Sequence, residues 1–497
     1  MDIIIFYEFE ERELTNACLL KFELERRGYT VEIVKVYEPR IPFLDKPKLI
    51  ITPFLYMDSD VETFTSCFFP RVDKILNLQY EQIISKKWLD SDFHSPRDLA
   101  KKAVHVCWSD FLKNRLENKG IDEKNCIITG DIRTDFDRSI FKDFFKSKES
   151  LAKEFNLNNE KKWVLFISSF TLPNAPDYVI DNLSKKLSGD GSEFKNIMIE
   201  SKRHIMDWVK KFLVKNNDKE FIYRPHPNEA LFHDDELNKL SEEYPNFHLI
   251  SKYSVQQWII NSNFINTWIS TSIIDAFFMN KHCNILRPVK LDENYDSPLM
   301  INARHISTYE EFERVNTVNN EMFPIKPSLI KQYYDFTDKP AYKAICDYVD
   351  LIIDDPSYEQ DFYSDNAQNM SSITLFQKCL TETTTEKIQS INKDKQRCYN
   401  TQLKLNKILD EELDIIPPEN NEIEMKILHL ILNLKRSHEN ELHNQRQDYE
   451  NELNIQKDQY EHKLENQKQY IQKILFSNSW KWTKPIRKVG NVLRSLK

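Results

Sequence analysis

Over residues 1–350 the chain alternates short unbroken apolar runs with stretches in which apolar positions recur every three or four residues. The first run, Asp2–Tyr7 (DIIIFY), reads as a strand buried on both faces, and the pattern after it, Leu14 to Arg27, is helical and stops at Gly28. Thr30–Val36, Leu49–Leu55, Lys74–Leu78, Val104–Trp108 and Cys126–Thr129 read as further strands, with a helical pattern between the last two. A second series opens at Trp163–Ile167 (WVLFI) and passes through a largely helical Ile197–Val214. It continues with strands Phe221–Tyr223 and Phe247–Ile250, helix Val255–Asn261, strand Phe264–Trp268, helix Ser272–Met279 and strand Asn284–Leu286. Strands alternating with helices predict parallel sheets covered on both faces. Two separate series predict an α/β chain with two Rossmann-like domains, residues 1–155 and 156–355, facing a cleft. In such folds ligands bind beyond the carboxyl ends of the strands.

After about Pro340 the texture changes. Ala341–Ile353 reads as a last crossing helix, and residues 356–372 (PSYEQDFYSDNAQNMSS) as a linker. Residues 373–475 are helical and polar, interrupted at Pro417-Pro418. Near their end a unit recurs: HENELHNQRQD, YENELNIQKDQ, YEHKLENQKQY, IQKILFSNSWK. It places Leu442, Leu453, Leu464 and Leu475 at 11-residue intervals, with Tyr449, Tyr460 and Ile471 four residues before the last three. An 11-residue period is about 3.67 residues per turn and keeps one apolar stripe on one face. The stripe suits an oligomerising coiled coil over residues 427–475; a single solvated helix lying against the body is the competing reading.

Composition narrows the class. With 40% hydrophobic and 30% charged residues the chain reads as globular with polar helical extensions. No apolar run reaches the ~18 residues of a membrane span. The start, MDIIIFYEFEERE, lacks the basic region of a signal peptide. Eight cysteines are scattered without a CxxC pair, which predicts reduced thiols, no zinc site and a cytoplasmic protein. Six glycines leave no room for a P-loop or a GxGxxG turn, which excludes P-loop kinases and dinucleotide oxidoreductases. The net charge of −9 hides an asymmetry: residues 476–497 carry six basic side chains and no acid, an acidic body with a basic tail.

Three stretches carry candidate chemistry. Arg224-Pro225-His226-Pro227 follows an apolar strand, and its prolines fix the backbone on both sides of the imidazole. Arginine and histidine at a strand end suit a phosphate, arginine by its fork and histidine as donor or proton carrier. The competing reading is a proline-rich turn with an incidental histidine. Ser270-Thr271-Ser272 precedes an apolar helical run two strands later, where backbone N–H groups at a helix start favour anions; capping alone also explains these residues. The third stretch, EFEERE at the end of the first strand, sets Glu8, Glu10, Glu11 and Glu13 around Arg12. One of these carboxylates, across a cleft, is placed to take a proton from an acceptor hydroxyl, although acids also favour helix starts for electrostatic reasons. Two DSD triplets, Asp58–Asp60 and Asp90–Asp92, have the form of a metal-binding DxD but lie in polar contexts far in sequence from RPHP.

RPHP followed by STS resembles the HP and Ser/Thr motifs of GT-B transferases that use cytidine-activated donors, such as bacterial sialyltransferases and capsule Kdo transferases. The CDP-glycerol glycerophosphotransferases of teichoic acid synthesis have a related His and Ser pattern. The N-terminal ERE, NLQYEQ (77–82), HVCWSDF (105–111), ITGDIRTD (128–135) and YYDFTD (333–338) are similar to motifs of surface-carbohydrate biosynthesis proteins, GT-B enzymes of capsule and surface-polysaccharide clusters. The resemblance covers roughly residues 1–350. It implies a transferase moving a glycosyl or polyol-phosphate group from a CMP- or CDP-linked donor to a polysaccharide or lipid-linked acceptor, with no metal and no other cofactor. His226 would contact the donor phosphate or leaving nucleotide, beside Arg224. Ser270, Thr271 and Ser272 would bind phosphate, and a glutamate of residues 8–13, Glu11 foremost, would be the base. Glu8, Glu10, Arg12 and Glu13 would stand on the acceptor side. The acidic motif lacks the glycine of the sialyltransferase version, and position 275 is Asp. The tail SNSWKWTKPIRKVGNVLRSLK resembles one found on surface-polysaccharide glycosyltransferases. Ile486, Val489, Leu493 and Leu496 make an apolar stripe beside basic residues, which suits the anionic inner face of the cell membrane or another protein of the pathway. A UDP-sugar glycosyltransferase on the same fold and a non-catalytic GT-B-like membrane scaffold are the rival readings.

Overall fold

The computed structural model describes residues 1–68, 71–92, 94–187, 191–229, 234–318, 322–362, 384–417 and 422–476. Met1–Glu422 form one compact unit, and the chain from Ile423 onward belongs to a second. The basic tail and most of the stretch read as a linker lie outside the described residues.

In the first unit, β1 (Ile3–Tyr7), β2 (Val31–Lys35), β3 (Leu49–Thr52), β4 (Ile75–Asn77), β5 (Val104–Cys107) and β6 (Cys126–Ile128) form one parallel sheet in the order β2-β1-β3-β4-β5-β6. A second parallel sheet joins β7 (Lys162–Ile167), β8 (Lys219–Arg224), β9 (Phe247–Leu249), β10 (Phe264–Thr267), β11 (Asn284–Leu286) and β12 (His305–Ile306) in the order β12-β11-β10-β7-β8-β9. Every residue of β1, β3 and β8 is buried, as parallel strands covered on both faces require. The architecture is α/β, GT-B-like: two Rossmann-like domains facing a cleft. In each sheet the first strand has neighbours from both directions, β2 and β3 about β1, β8 and β10 about β7. The loops after β1, β7, β8 and β10 therefore open at the two switch points. Strand β12 has only two residues and no apolar run to announce it.

Several motifs read from the sequence meet in a seam that borders the cleft. Asp135 accepts the backbone N–H groups of Ala341 (2.9 Å) and Tyr342 (2.7 Å) and so caps the crossing helix Ala341–Asp354. Trp108 stacks on Tyr334 at 5.3 Å, Ser109 Oγ donates to the Gln332 carbonyl, and Arg138 lies 4.3 Å over the Phe336 ring. The crossing helix then binds the first domain, where Arg27 Nη1 and Tyr29 Oη donate to Asp350 at 2.7 and 2.9 Å. YYDFTD thus brings the chain back onto HVCWSDF and GDIRTD of the first domain.

The helix Thr385–Ile408 is no free extension. It packs on α1 (Thr15–Arg26) and straps the end of β1. Gln402 Nε2 donates to the Cys18 carbonyl at 2.8 Å, and Tyr7 donates its hydroxyl to Asp394 Oδ2 at 2.7 Å.

The second unit is most of one helix, Glu422–Phe476. Leu442, Tyr449, Leu453, Tyr460, Leu464 and Ile471, the stripe of the 11-residue repeat, are all exposed in the single chain. No helix among the described residues is long and apolar enough to cross a membrane.

Candidate active site

The site is built where four strands end. After β1 the chain makes a π-type turn, Glu10–Leu14, before α1. An extra residue per turn there redirects side chains, a device common at functional sites. Glu13 is buried and holds the turn: Oε2 accepts the Glu8 N–H at 2.6 Å and the Phe9 N–H at 3.3 Å. Its Oε1 accepts from Arg12 Nε and Nη2 at 2.9 and 2.6 Å. Arg12 then reaches Glu81 of the NLQYEQ segment, Nη1 to Oε1 at 2.8 Å. Glu10 and Glu11 turn the other way, onto Arg397 of the strap helix. Both Glu11 oxygens accept from it at 3.0 Å, and Glu10 accepts from the same guanidinium. That leaves Glu8. Burial, with Glu13 adjacent, pushes its carboxyl up to about 7 against the opposing pull of Arg12. It faces the cleft with Arg12 and Glu81.

After β8 come Arg224 and His226. Arg224 is buried, and its guanidinium donates to the carbonyls of Ser251 and Lys252 at 3.1 Å each and to that of Tyr253. Burial lowers its affinity for a proton to about 10. Its N–H groups anchor the loop after β9, and the Glu11 carboxylate only partly offsets the effect of burial on its charge. His226 Nδ1 accepts the Asn228 N–H at 3.1 Å, which puts the proton of a neutral imidazole on Nε2. Burial, then Arg12 and Arg224, hold it down to about 4, so it is a neutral donor at physiological pH. Behind it Glu229 accepts from the His226 N–H at 3.2 Å and from Tyr223 Oη at 2.7 Å.

After β10, the turn Ile269–Ser272 meets the loop after β7, where the Ile269 N–H donates to Ser169 Oγ at 3.2 Å. The helix that follows, Ile273–Phe278, has six residues. Two of the turn's N–H groups are spent internally, Ser270 N–H on Thr267 Oγ1 and Ser272 N–H on Ser270 Oγ, both at 3.2 Å. The expected anion site at a helix start is therefore reduced. What the turn offers the cleft is mainly its hydroxyls, together with Ser168 and Ser169 after β7.

These pieces converge. Glu11, Arg12, Arg224, His226 and Ser270–Ser272 line one cavity of about 260 Å³, closed by Phe136, Phe144 and Phe145. A wider chamber of about 810 Å³ adjoins it and shares Arg12, Glu81, His226 and Thr271. Its walls carry Glu8 with Tyr56, Trp88, Phe194 and Tyr295. The arrangement is a small cavity with charged and hydroxyl groups on its wall, adjoining a larger aromatic one, with His226 lining both. Of the residues singled out from the sequence, Glu10, Glu11 and Glu13 are held in ion pairs, and Glu10 and Glu13 line neither of these chambers.

Sequence reasoning assigned no role to Glu81, Arg133 or Asp275, all of which line the small cavity. Arg133 is bidentate to Asp131, with Nε 3.1 Å from Oδ1 and Nη2 2.7 Å from Oδ2, and lies 4.7 Å over the Trp108 ring. Asp275 accepts from Gln256 Nε2 at 2.9 Å, and burial raises its carboxyl despite Arg133. The DSD triplets make local contacts, and one of them, through Ser59 and Asp60, also lines the wider chamber. Asp60 accepts the N–H groups of Tyr56 and Met57 at a helix start, and Asp92 pairs with Lys119. Among the described residues no cluster of three His, Cys, Asp or Glu is disposed to hold a metal ion.

No protein-family model matches the chain, and no curated protein matches it. Among solved structures, the S. aureus MnaA–UDP complex aligns at 14% identity and a TM-score of 0.46, over 72% of this chain and 99% of that one. The UDP-GlcNAc 2-epimerase of Methanocaldococcus jannaschii, in complex with UDP-GlcNAc and UDP, aligns at 12% identity and 0.44, over 71% and 100%. The wall teichoic acid polymerase TagF, soaked with CDPG, aligns at 12% identity and 0.43, over 71% and 88%. The fold assignment above rests on the two sheets and their order.

Proposed function

We propose that the chain is a GT-B transferase that takes a nucleotide-activated donor in the small cavity and an acceptor in the aromatic chamber. The observation that carries the reading is the position of His226, a neutral Nε2–H donor at the join of the two cavities, with Glu8 on the acceptor side. In this reading the donor phosphates lie against His226 and the hydroxyls of Ser270, Thr271 and Ser272. The charge of Arg224 attracts them, although its N–H groups are engaged elsewhere. Glu8 takes the proton of the acceptor hydroxyl, whose oxygen forms the new bond as the bond to the nucleotide phosphate breaks. The departing phosphate carries the electron pair, and the His226 Nε2–H stabilises it as charge develops. Glu8 suits the base role better than Glu11. Its carboxylate is raised toward neutrality, where proton abstraction is most effective, and Glu11 is neutralised by Arg397.

The donor is a cytidine nucleotide, CMP- or CDP-linked, carrying a glycosyl or polyol-phosphate group, and the acceptor is a surface polysaccharide or a lipid-linked precursor. The spacing of RPHP and STS supports the cytidine assignment. The aromatic chamber suits a saccharide-sized acceptor. The exposed 11-residue stripe supports self-association of the long helix, and the basic 476–497 tail supports peripheral placement at the inner face of a cell membrane. The test is nucleotide release from CMP- and CDP-linked donors by the full chain in the presence of saccharide acceptors, with UDP-linked donors alongside. Release from cytidine donors that Glu8→Gln abolishes supports the reading. Release only from UDP donors keeps the mechanism and replaces the donor. No release from any donor favours the scaffold.

A further inference from the structure

Two prolines flank His226, so the turn from Pro225 to Asn228 has only two backbone N–H groups, those of His226 and Asn228. Both are spent on orienting the imidazole. The Asn228 N–H donates to Nδ1 at 3.1 Å, and the His226 N–H donates to Glu229 Oε2 at 3.2 Å. The other Glu229 oxygen, Oε1, accepts from Tyr223 Oη at 2.7 Å and from Lys202 Nζ at 3.3 Å. Lys202 stands on the helix Gly191–Lys215, which packs over this end of β8. Lys202, Tyr223 and Glu229 are all buried, and none of them lines either chamber. They reach a ligand only through His226.

The ammonium of Lys202 is shared. It also pairs with Asp234, and among the described residues no other cation pairs with either carboxylate. Asp234 keeps three further donors, the N–H groups of Glu236 and Leu237 at 3.1 and 3.2 Å and Asn174 Nδ2 at 2.9 Å. Glu229 has the Tyr223 hydroxyl and the His226 N–H. A buried carboxylate that loses its cation takes up a proton or turns away, and Glu229 is the less supported of the two. Either change weakens its grip on the His226 N–H, because an ionised acceptor bonds more strongly than a neutral one. We infer that Glu229 is a positioning residue for His226, with Lys202 as the cation that keeps it ionised and in place. Together they fix the turn so that the Asn228 N–H occupies Nδ1 and the imidazole proton stays on Nε2. The use of that proton, at the departing phosphate, rests on the transferase reading; the orientation does not.

The test is the nitrogen NMR spectrum of the histidine rings in the full chain, which reports the nitrogen that carries the proton. His226 is assigned by the signal that His226→Asn removes, and nucleotide release is measured alongside. The wild-type ring should be protonated on Nε2 alone at pH 7. Lys202→Met and the milder Tyr223→Phe should give a mixture of the two tautomers. In Lys202→Met kcat should fall about tenfold or more with the donor KM unchanged, since the group acts on the transition state. A ring protonated on Nε2 alone in both variants overturns the proposal, as does a raised donor KM with kcat intact. If Lys202→Met does not fold, the tautomer in Tyr223→Phe decides by itself. If the wild-type chain releases no nucleotide, the transferase reading fails while the spectra still decide whether Glu229 and Lys202 orient the ring.

Discussion

Glu8 and His226 owe their properties to burial more than to any single partner. Glu8 sits beside Glu13, whose own charge is taken up by Arg12 and two backbone N–H groups, so Glu8 is the carboxylate left without close compensation. A carboxyl raised to about 7 is protonated below that pH and works as a base above it. We therefore expect kcat/KM to be low at pH 5, to rise with a midpoint near 7 and to level off above. Glu8→Gln should remove that limb and lower kcat by about 10²–10⁴-fold, while Glu11→Gln keeps the limb. A pH profile unmoved by Glu8→Gln would exclude this residue as the base. His226 titrates in the opposite sense for stability. Its folded-state value of about 4 lies below the ordinary 6.5, so it stabilises the fold fully above about pH 6.5. That contribution is lost as pH falls toward 4, and His226→Asn should flatten this part of an acid-unfolding curve. The HP and STS residues were legible in the sequence because prolines and hydroxyls cluster at strand ends. Glu81 and Arg133 were not. Glu81 is a lone charge in a polar loop and Arg133 sits in a short helical turn among aspartates, and only the order of the strands decides that both meet the cleft.

At the scale of elements, the seam and the strap fix the cleft. Gly130 has φ +81°, and a Cβ there would stand 2.9 Å from the Asp335 carbonyl oxygen. Gly130→Ala is thus expected to destabilise the unit by about 1–3 kcal/mol, by strain and by pushing the YYDFTD segment away. Chemical denaturation measures this, and an unchanged midpoint would count against the seam. The strap helix buries Ile388, Ile391 and Leu405 and adds polar contacts, among them Arg397 to Glu10 and Glu11. Arg397→Ala should speed amide exchange over residues 385–408 while the sheets keep their protection; equal exchange in both proteins would show that the bridge does not hold the helix. Buried strands such as IIIFY were readable because parallel strands covered on both faces are unbroken apolar runs. The docking of the strap was not, because its few buried apolar residues, Ile388, Ile391 and Leu405, are spread among polar ones, and Asp394, Arg397 and Gln402 look like a solvated face in sequence.

For the whole molecule, two parallel sheets supply a cleft, and the second unit supplies a helix whose apolar stripe is bare in one chain. A stripe of leucine, tyrosine and isoleucine at 11-residue intervals is expected to pair with copies of itself. The full chain should therefore sediment as an oligomer and a chain ending at residue 417 as a monomer; equal states would remove the coiled coil from the account. The division into two Rossmann-like halves was evident from two separate series of strands, whereas the extent of the first unit, reaching past the strap to Glu422, was hidden by the intervening polar segment. The most direct test of the central claim is calorimetric binding of CMP, CDP, UDP and GDP to the full chain and to His226→Ala. The account expects CMP or CDP to bind in preference to the others, and to weaken by about tenfold or more in the variant. Cytidine nucleotides binding equally to both proteins, or no nucleotide binding at all, would contradict it.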